Sequence, residues 1–172
     1  MAHADTDPKS PPPRRAGCVV VILDPDEERV LLVKPRYGSP EDNADWQLPG
    51  GHAHTNEPIE DAAMRELAEE TGLLLHLTHL LLVDQMLPKP ERETTEGVNY
   101  VFDGGAATAE EVATTAIPEA AAEELADLRW VPLGELDSYT HPYQARRIRA
   151  ALENSRSGLR MHLHRRGVPV GS

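Results

Sequence analysis

Aromatic side chains make up 4% of the sequence, with a single phenylalanine, so leucine, valine and alanine have to fill the core. The chain has one cysteine, Cys18. It excludes an internal disulfide framework, which suits a reducing compartment, and within the run CVVVIL it reads as a small hydrophobe. No apolar run approaches the roughly 20 residues of a membrane span. Positive charge is short as well: 17 Lys and Arg stand against 29 Asp and Glu, a net charge of −12. A field of that sign disfavours non-specific binding to nucleic acid or to an anionic membrane. It still admits a small phosphorylated substrate where a cation screens the site. The opening MAHADTDPKSPPPRR has early acids and no apolar stretch, so a secretory signal is not expected. Together these absences predict a soluble cytoplasmic protein with neither nucleic acid nor membrane as a partner.

What is present fits one domain. The 172 residues, 40% hydrophobic and 27% charged, have a globular balance and enough length for a real core. Residues 1–15 are polar and proline-rich and read as a disordered lead. Residues 17–23 and 30–33 read as two strands joined by the turn Asp24-Pro25-Asp26, a hairpin. Trp46-Gln47-Leu48 reads as a short strand ended by Pro49-Gly50-Gly51. A helix follows, capped by Asn56, with Pro58 in its first turn, Ile59, Ala63 and Leu67 facing inward and Gly72 past its end. Strands are expected at 79–86, 98–102 and 128–131, the second of them ended by Asp103-Gly104-Gly105. Residues 106–118 read as irregular, and 119–126 as a short helix or a mobile loop. A helical turn is expected at 133–136. A terminal helix over 142–154 faces Ala145, Ile148 and Leu152 inward. Residues 155–172 read as a basic, flexible tail on an acidic body. Strands and helices mix without strict alternation, which predicts a single mixed α/β sheet with helices on its faces.

One helix carries a chemical anomaly. Glu66, Glu69 and Glu70 stand at spacings of three and four residues, so their carboxylates share one side and repel. Such a face is most often simply hydrated. It also offers hard oxygen ligands, and Mg²⁺ or Mn²⁺ would turn the repulsion into attraction. Gly50-Gly51 lets the backbone turn tightly beside the helix start, so a carbonyl can join. Glu57 and Arg65 can pair across loop and helix.

Taken together, residues 51–73, GHAHTNEPIEDAAMRELAEETGL, resemble the Nudix box, G-x5-E-x7-R-E-U-x-E-E-x-G-U with U aliphatic. Gly51, Glu57, Arg65, Glu66, Leu67, Glu69, Glu70, Gly72 and Leu73 meet every fixed position, a coincidence of roughly 10⁻¹⁰ per starting point at ordinary residue usage. The preceding WQLPG, the later RWVPLGEL and the terminal helix extend the likeness over residues 16–154. It implies an α/β/α sandwich around a mixed sheet. The implied chemistry is hydrolysis of a nucleoside diphosphate linked to another group, an ADP-ribose-like compound or a (deoxy)nucleoside triphosphate. Water attacks one phosphorus while Mg²⁺ or Mn²⁺ neutralises the leaving charge.

The likeness also implies roles. Glu66, Glu69 and Glu70 would be metal ligands and, with Arg65, the catalytic set. Gly50 would add its carbonyl. Glu57, Gly51 and Gly72 would be structural, Glu57 together with Arg65. In one branch a further acid stands six residues before a late Trp; here that is Glu124, with Glu123 the near competitor. The general base is Glu66 or a loop acid among Glu91, Glu93 and Glu96. Lys34, Arg36 and His52 are the candidates to meet substrate phosphates, with His54 beside them. The box departs from common usage at Asn56, where many members have Gly, and at His54, where an acid is frequent. Pro88 and Pro90 hint weakly at ADP-ribose. The alternative is a catalytically silent module that senses a nucleotide, though such modules tend to lose box acids and none is lost here. The basic tail would fold over the acidic face or reach a second copy of the chain in a homodimer.

Overall fold

The computed structural model describes residues 13–36, 44–88 and 96–171. Strand β1 (Arg15–Leu23) and β2 (Arg29–Pro35) form the expected hairpin. Its turn is held by Asp24, which is buried. The Asp24 carboxylate accepts from the Glu28 and Arg29 N–H groups at 2.9 Å each and from Arg29 Nε at 2.8 Å. Alternation along β1 sends Cys18, Val20 and Ile22 to one face and Val21 and Leu23 to the other. Each face therefore buries its own apolar layer.

The sheet runs β6-β2-β1-β5-β4-β7, with β4 (His79–Met86), β5 (Gly97–Ala106), β6 (Leu125–Pro132) and β7 (Met161–His162). The β1–β5 pair is parallel and the others are antiparallel. Helix α1 (Ile59–Thr71) covers the Cys18 face with Ala62, Ala63 and Leu67. The other face is covered by α4 (Pro142–Arg156), through Ala145, Ile148, Ala151 and Leu152, with α3 (Leu136–Tyr139) beside it. This is the expected α/β/α sandwich around a mixed sheet. No described helix is long and apolar enough to cross a membrane.

Several local expectations are corrected. The strand expected at Trp46-Gln47-Leu48 is only a one-residue bridge, Gln47 to Val33. Trp46 and Leu48 are instead core side chains. The strand comes after Pro49, as β3 (Gly50–His52), paired antiparallel with β1. Gly50 runs so close to β1, at φ 133°, that a Cβ there would lie 2.1 Å from the Cys18 carbonyl oxygen. The glycines read as a stop are the condition for pairing. Helix α1 has Pro58, not Asn56, at its N-cap and no side-chain cap. Asn56 adopts a left-handed φ of 65° in the preceding loop. Its C-terminus ends as expected at Gly72, φ 74°.

Asp103-Gly104-Gly105 does not end β5, which stays paired with β1 to Ala106. A Cβ on Gly104 would lie 2.6 Å from Ile22 Cγ1, so this glycine too permits close packing. Within 106–118 the structure has a helix, α2 (Ala109–Thr114), nucleated by the reciprocal box of Thr108 and Glu111. Only Glu119–Ala121 of the expected 119–126 helix forms, as a 3₁₀ turn. The tail takes regular structure where its composition predicts none. Strand β7 pairs with β4, and β8 (His164–Arg165) pairs with β9 (Val168–Pro169). Arg165 reaches Glu60 on α1, and Leu163 packs on the α1-side core. The basic tail thus lies on the acidic body.

Candidate active site

Close approach between β3 and α1 builds the acid cluster. Glu70 is largely buried, and its Oε2 accepts the Gly50 N–H at 2.7 Å. Burial is the main force on its carboxyl and outweighs that hydrogen bond. With the charges of Glu66, Glu124 and Glu69 added, its pKa is pushed up to about 8. Glu66 lies directly over Gly51, where a Cβ would sit 2.4 Å from the Glu66 Cδ. Both glycines therefore act by having no side chain.

Arg65 gathers the remaining charge. It binds Glu57 through two nitrogens, at 2.8 and 3.0 Å, meets Glu66 at 2.9 Å and Glu69 at 3.0 Å, and donates to the His52 carbonyl at 3.3 Å. Glu57 also accepts the His54 N–H at 2.8 Å. Its bonds from Arg65, and then from His54, hold its pKa down to about 2. One guanidinium thereby ties the loop before α1 to the acid face.

These groups open on a cleft of about 530 Å³, within the range of small-molecule sites. Gly50, Gly51, His52, His54, Glu66, Glu70 and Glu124 line it. Glu124, rather than Glu123, is thus the late acid brought to the cluster. The expected cations are not. Pro35 faces the cleft, so strand alternation turns Lys34 and Arg36 away. Lys34 stands opposite Asp127 on β6, and Arg36 donates to the Ala122 carbonyl at 2.8 Å. Arg15 supplies the charge instead. It lines the cleft and binds His52 Nε2 at 2.7 Å. Burial first, and then the Arg15 charge, lower the His52 pKa.

The opposite wall has no counterpart among the sequence expectations. It consists of Met86 from β4 and Tyr143, Gln144 and Arg147 from α4, with Asn99 of β5 on the floor. Arg147 is buried, with Nε on Asp84 at 2.6 Å and Nη1 on Gln144 Oε1 at 2.8 Å. A charged side chain inside a helix's apolar stripe is the one sequence signal for this wall. Among the loop acids, Glu96 is paired with Arg14, and Glu91 and Glu93 lie outside the described residues, as does Pro90.

The donor set suits a hard divalent cation. A buried carboxylate flanked by two further cleft carboxylates is short of positive charge, which Mg²⁺ or Mn²⁺ would supply. Among the described residues no three acids converge tightly enough to hold an ion as they stand. Glu66 and Glu69 face Arg65 and would have to release it to bind one.

The comparisons with known proteins agree with this geometry. The NUDIX domain model matches residues 12–152. A Bacillus subtilis (strain 168) protein named "Putative 8-oxo-dGTP diphosphatase" is 32% identical over 132 residues, 77% of this chain and 76% of that one. The crystal structure of a MutT NUDIX hydrolase from Burkholderia pseudomallei superposes with a TM-score of 0.62 at 27% identity, covering 83% of this chain and 98% of that one. The NUDIX domain of Shewanella oneidensis NrtR, complexed with ADP ribose, superposes with a TM-score of 0.65 at 22% identity, covering 88% and 95%. With Glu66 and Glu70 of the box on one cleft and the family model matched along most of its length, the chain belongs to the NUDIX family.

Proposed function

We propose that the protein is a metal-dependent pyrophosphohydrolase that cleaves the diphosphate linkage of a nucleoside diphosphate derivative. The observation that carries this reading is Glu70: a buried carboxyl, held by the Gly50 N–H, with Glu66 and Glu124 on the same cleft. Glu66, Glu69, Glu70 and Glu124, with the Gly50 carbonyl, would hold Mg²⁺ or Mn²⁺. The bound cation supplies Lewis-acid polarisation and neutralises charge on the pyrophosphate.

The chain's own residues do the rest. Arg15 and His52 face the phosphates from β1 and β3. Arg65 keeps Glu57 and the His54 segment in place, so the loop holds its shape as charge arrives. Water attacks one phosphorus, a P–O bond to that water forms, and the bridging P–O bond breaks. The water's proton passes to a cleft carboxylate, for which Glu66 is the candidate on the described wall. The relative named for 8-oxo-dGTP supports a nucleoside triphosphate, and the ADP ribose-bound neighbour shows that this fold can hold a nucleotide sugar.

Phosphate-linked product release from a panel tests the reading. The panel is ADP-ribose, NADH, diadenosine polyphosphates, and ordinary and oxidised dNTPs with Mg²⁺, wild type beside Glu70→Gln. Turnover of one class that Glu70→Gln abolishes is the expected result. Tight binding of a nucleotide with no turnover of any would overturn it in favour of a sensing module.

A further inference from the structure

On the α4 face of the sheet, β1 and β5 carry a row that starts in the apolar core. Val21 of β1 and Val101 of β5 are core side chains. Two residues from Val101 toward the cleft comes Asn99, and beside it in register is Gly17. Alternation places an apolar side chain at such a position, because it continues the core. The sequence puts a primary amide there instead.

Asn99 is only 5% exposed, and among the described residues its side chain makes no hydrogen bond. Its amide is nonetheless not sealed in. Trp130 Nε1 is the only buried side-chain polar atom among the described residues without a partner, and Asn99 lines the cleft. Gly17 makes this placement possible. A Cβ on Gly17 would lie 2.1 Å from Asn99 Oδ1, so the amide occupies the space that any other residue's side chain would take. An amide that opens on the cleft without a protein partner can pair with a ligand without breaking a protein hydrogen bond.

The chemistry of the amide narrows the ligand. It presents one donor and one acceptor side by side. A phosphate offers acceptors alone and would leave Oδ1 facing an anion. Asn99 also stands two strands from β3, about 10 Å across the sheet from the phosphate-facing His52. On the α4 wall the Tyr143 ring lines the same cleft, held by Arg147 at 5.6 Å from its centroid and by the His141 ring at 6.0 Å. A heterocycle with a mixed donor–acceptor edge matches the amide of Asn99. Resting on the hydrolase reading above, we infer that Asn99, seated over Gly17, is the residue that reads the hydrogen-bonding edge of the substrate's nucleobase.

The test compares kcat/KM for ATP, GTP, CTP and UTP, and for dATP beside ATP, in wild type, Asn99→Leu, Asn99→Asp and Gly17→Ala. Binding of the same nucleotides is measured in parallel. One paired amide edge carries roughly 10- to 100-fold discrimination between bases. Asn99→Leu should compress the best-to-worst ratio by at least about 10-fold, chiefly through KM. Asn99→Asp, which keeps the shape and removes the donor, should reorder the bases. Gly17→Ala, which moves the amide without changing it, should compress the ratio as Asn99→Leu does. A uniform loss for all four bases, a change confined to the dATP/ATP ratio, or no base preference in wild type overturns the inference and leaves the hydrolase reading standing. Binding that keeps its base ranking and loses it in Asn99→Leu, without turnover by wild type, supports the inference and sinks the hydrolase reading. No binding and no turnover of any nucleotide sinks both.

Discussion

The two walls of the cleft are built in opposite ways. On the β3–α1 wall, Arg65 meets Glu57, Glu66 and Glu69, all within eight residues of it, and Glu70 reaches back 20 residues to Gly50. On the α4 wall, Arg147 meets Asp84 and Met86 from more than 60 residues away. The first wall spreads one cation over several carboxylates and leaves Glu70 short of positive charge. The second pairs its cation with one carboxylate and sits deeper, the Arg147 side chain being 5% exposed against 25% for Arg65. Under the proposed function the first wall would meet the ion and the phosphates, while the second, its charge already paired, would hold its shape.

Breaking the first wall should show in turnover. Glu70→Gln keeps the Gly50 bond and removes the charge, so kcat/KM should fall on the order of 10³-fold, read from initial rates, with Tm unchanged or raised. A fall below tenfold would remove Glu70 from the chemistry. Breaking the second should show in stability. Asp84→Asn leaves the Arg147 charge buried without its carboxylate and should cost about 2–4 kcal/mol in urea unfolding. A cost under about 0.5 kcal/mol would mean that this wall is not held by the pair.

Smaller effects sharpen the contrast between cations. Arg15→Ala should raise KM about 10-fold, a loss of roughly 1.4 kcal/mol, whereas Lys34→Ala should change it less than about 2-fold. Equal effects would mean that strand alternation does not decide which cation meets the substrate. Least in size is the acid limb of stability. The Glu57 pKa is lowered to about 2, below its unfolded value of 4.5. Its contribution is therefore full above pH 4.5 and fades as pH falls toward 2. Glu57→Gln should flatten the Tm profile in that window, lowering Tm most above pH 4.5, where the contribution is full, and least near pH 2.

What could be read in advance follows the same division. The acid face of α1, its Arg65–Glu57 tie and the Gly72 stop depend on helical spacing and short loops, so they were legible. The strand after Pro49 is hidden in the sequence because Gly50 looks like punctuation until β1 is beside it. The charge of Lys34 and Arg36 is visible in sequence, while the face they take is set by which neighbour, Pro35, turns to the cleft. The Thr108–Glu111 box is written in the sequence, but it stands among alanines and threonines with no apolar period to mark a helix.

By itself the sequence determined the family, the two-sided core of β1 and the cluster of carboxylates around Glu70, because periodicity and box spacing are local properties of the chain. Tertiary structure alone decided that Arg15 rather than Lys34 faces the cleft, that Arg147 lies buried on Asp84, and that Asn99 sits over Gly17. Those outcomes depend on register between strands and on packing across long separations, where a side chain's neighbours come from the sheet and not from the chain.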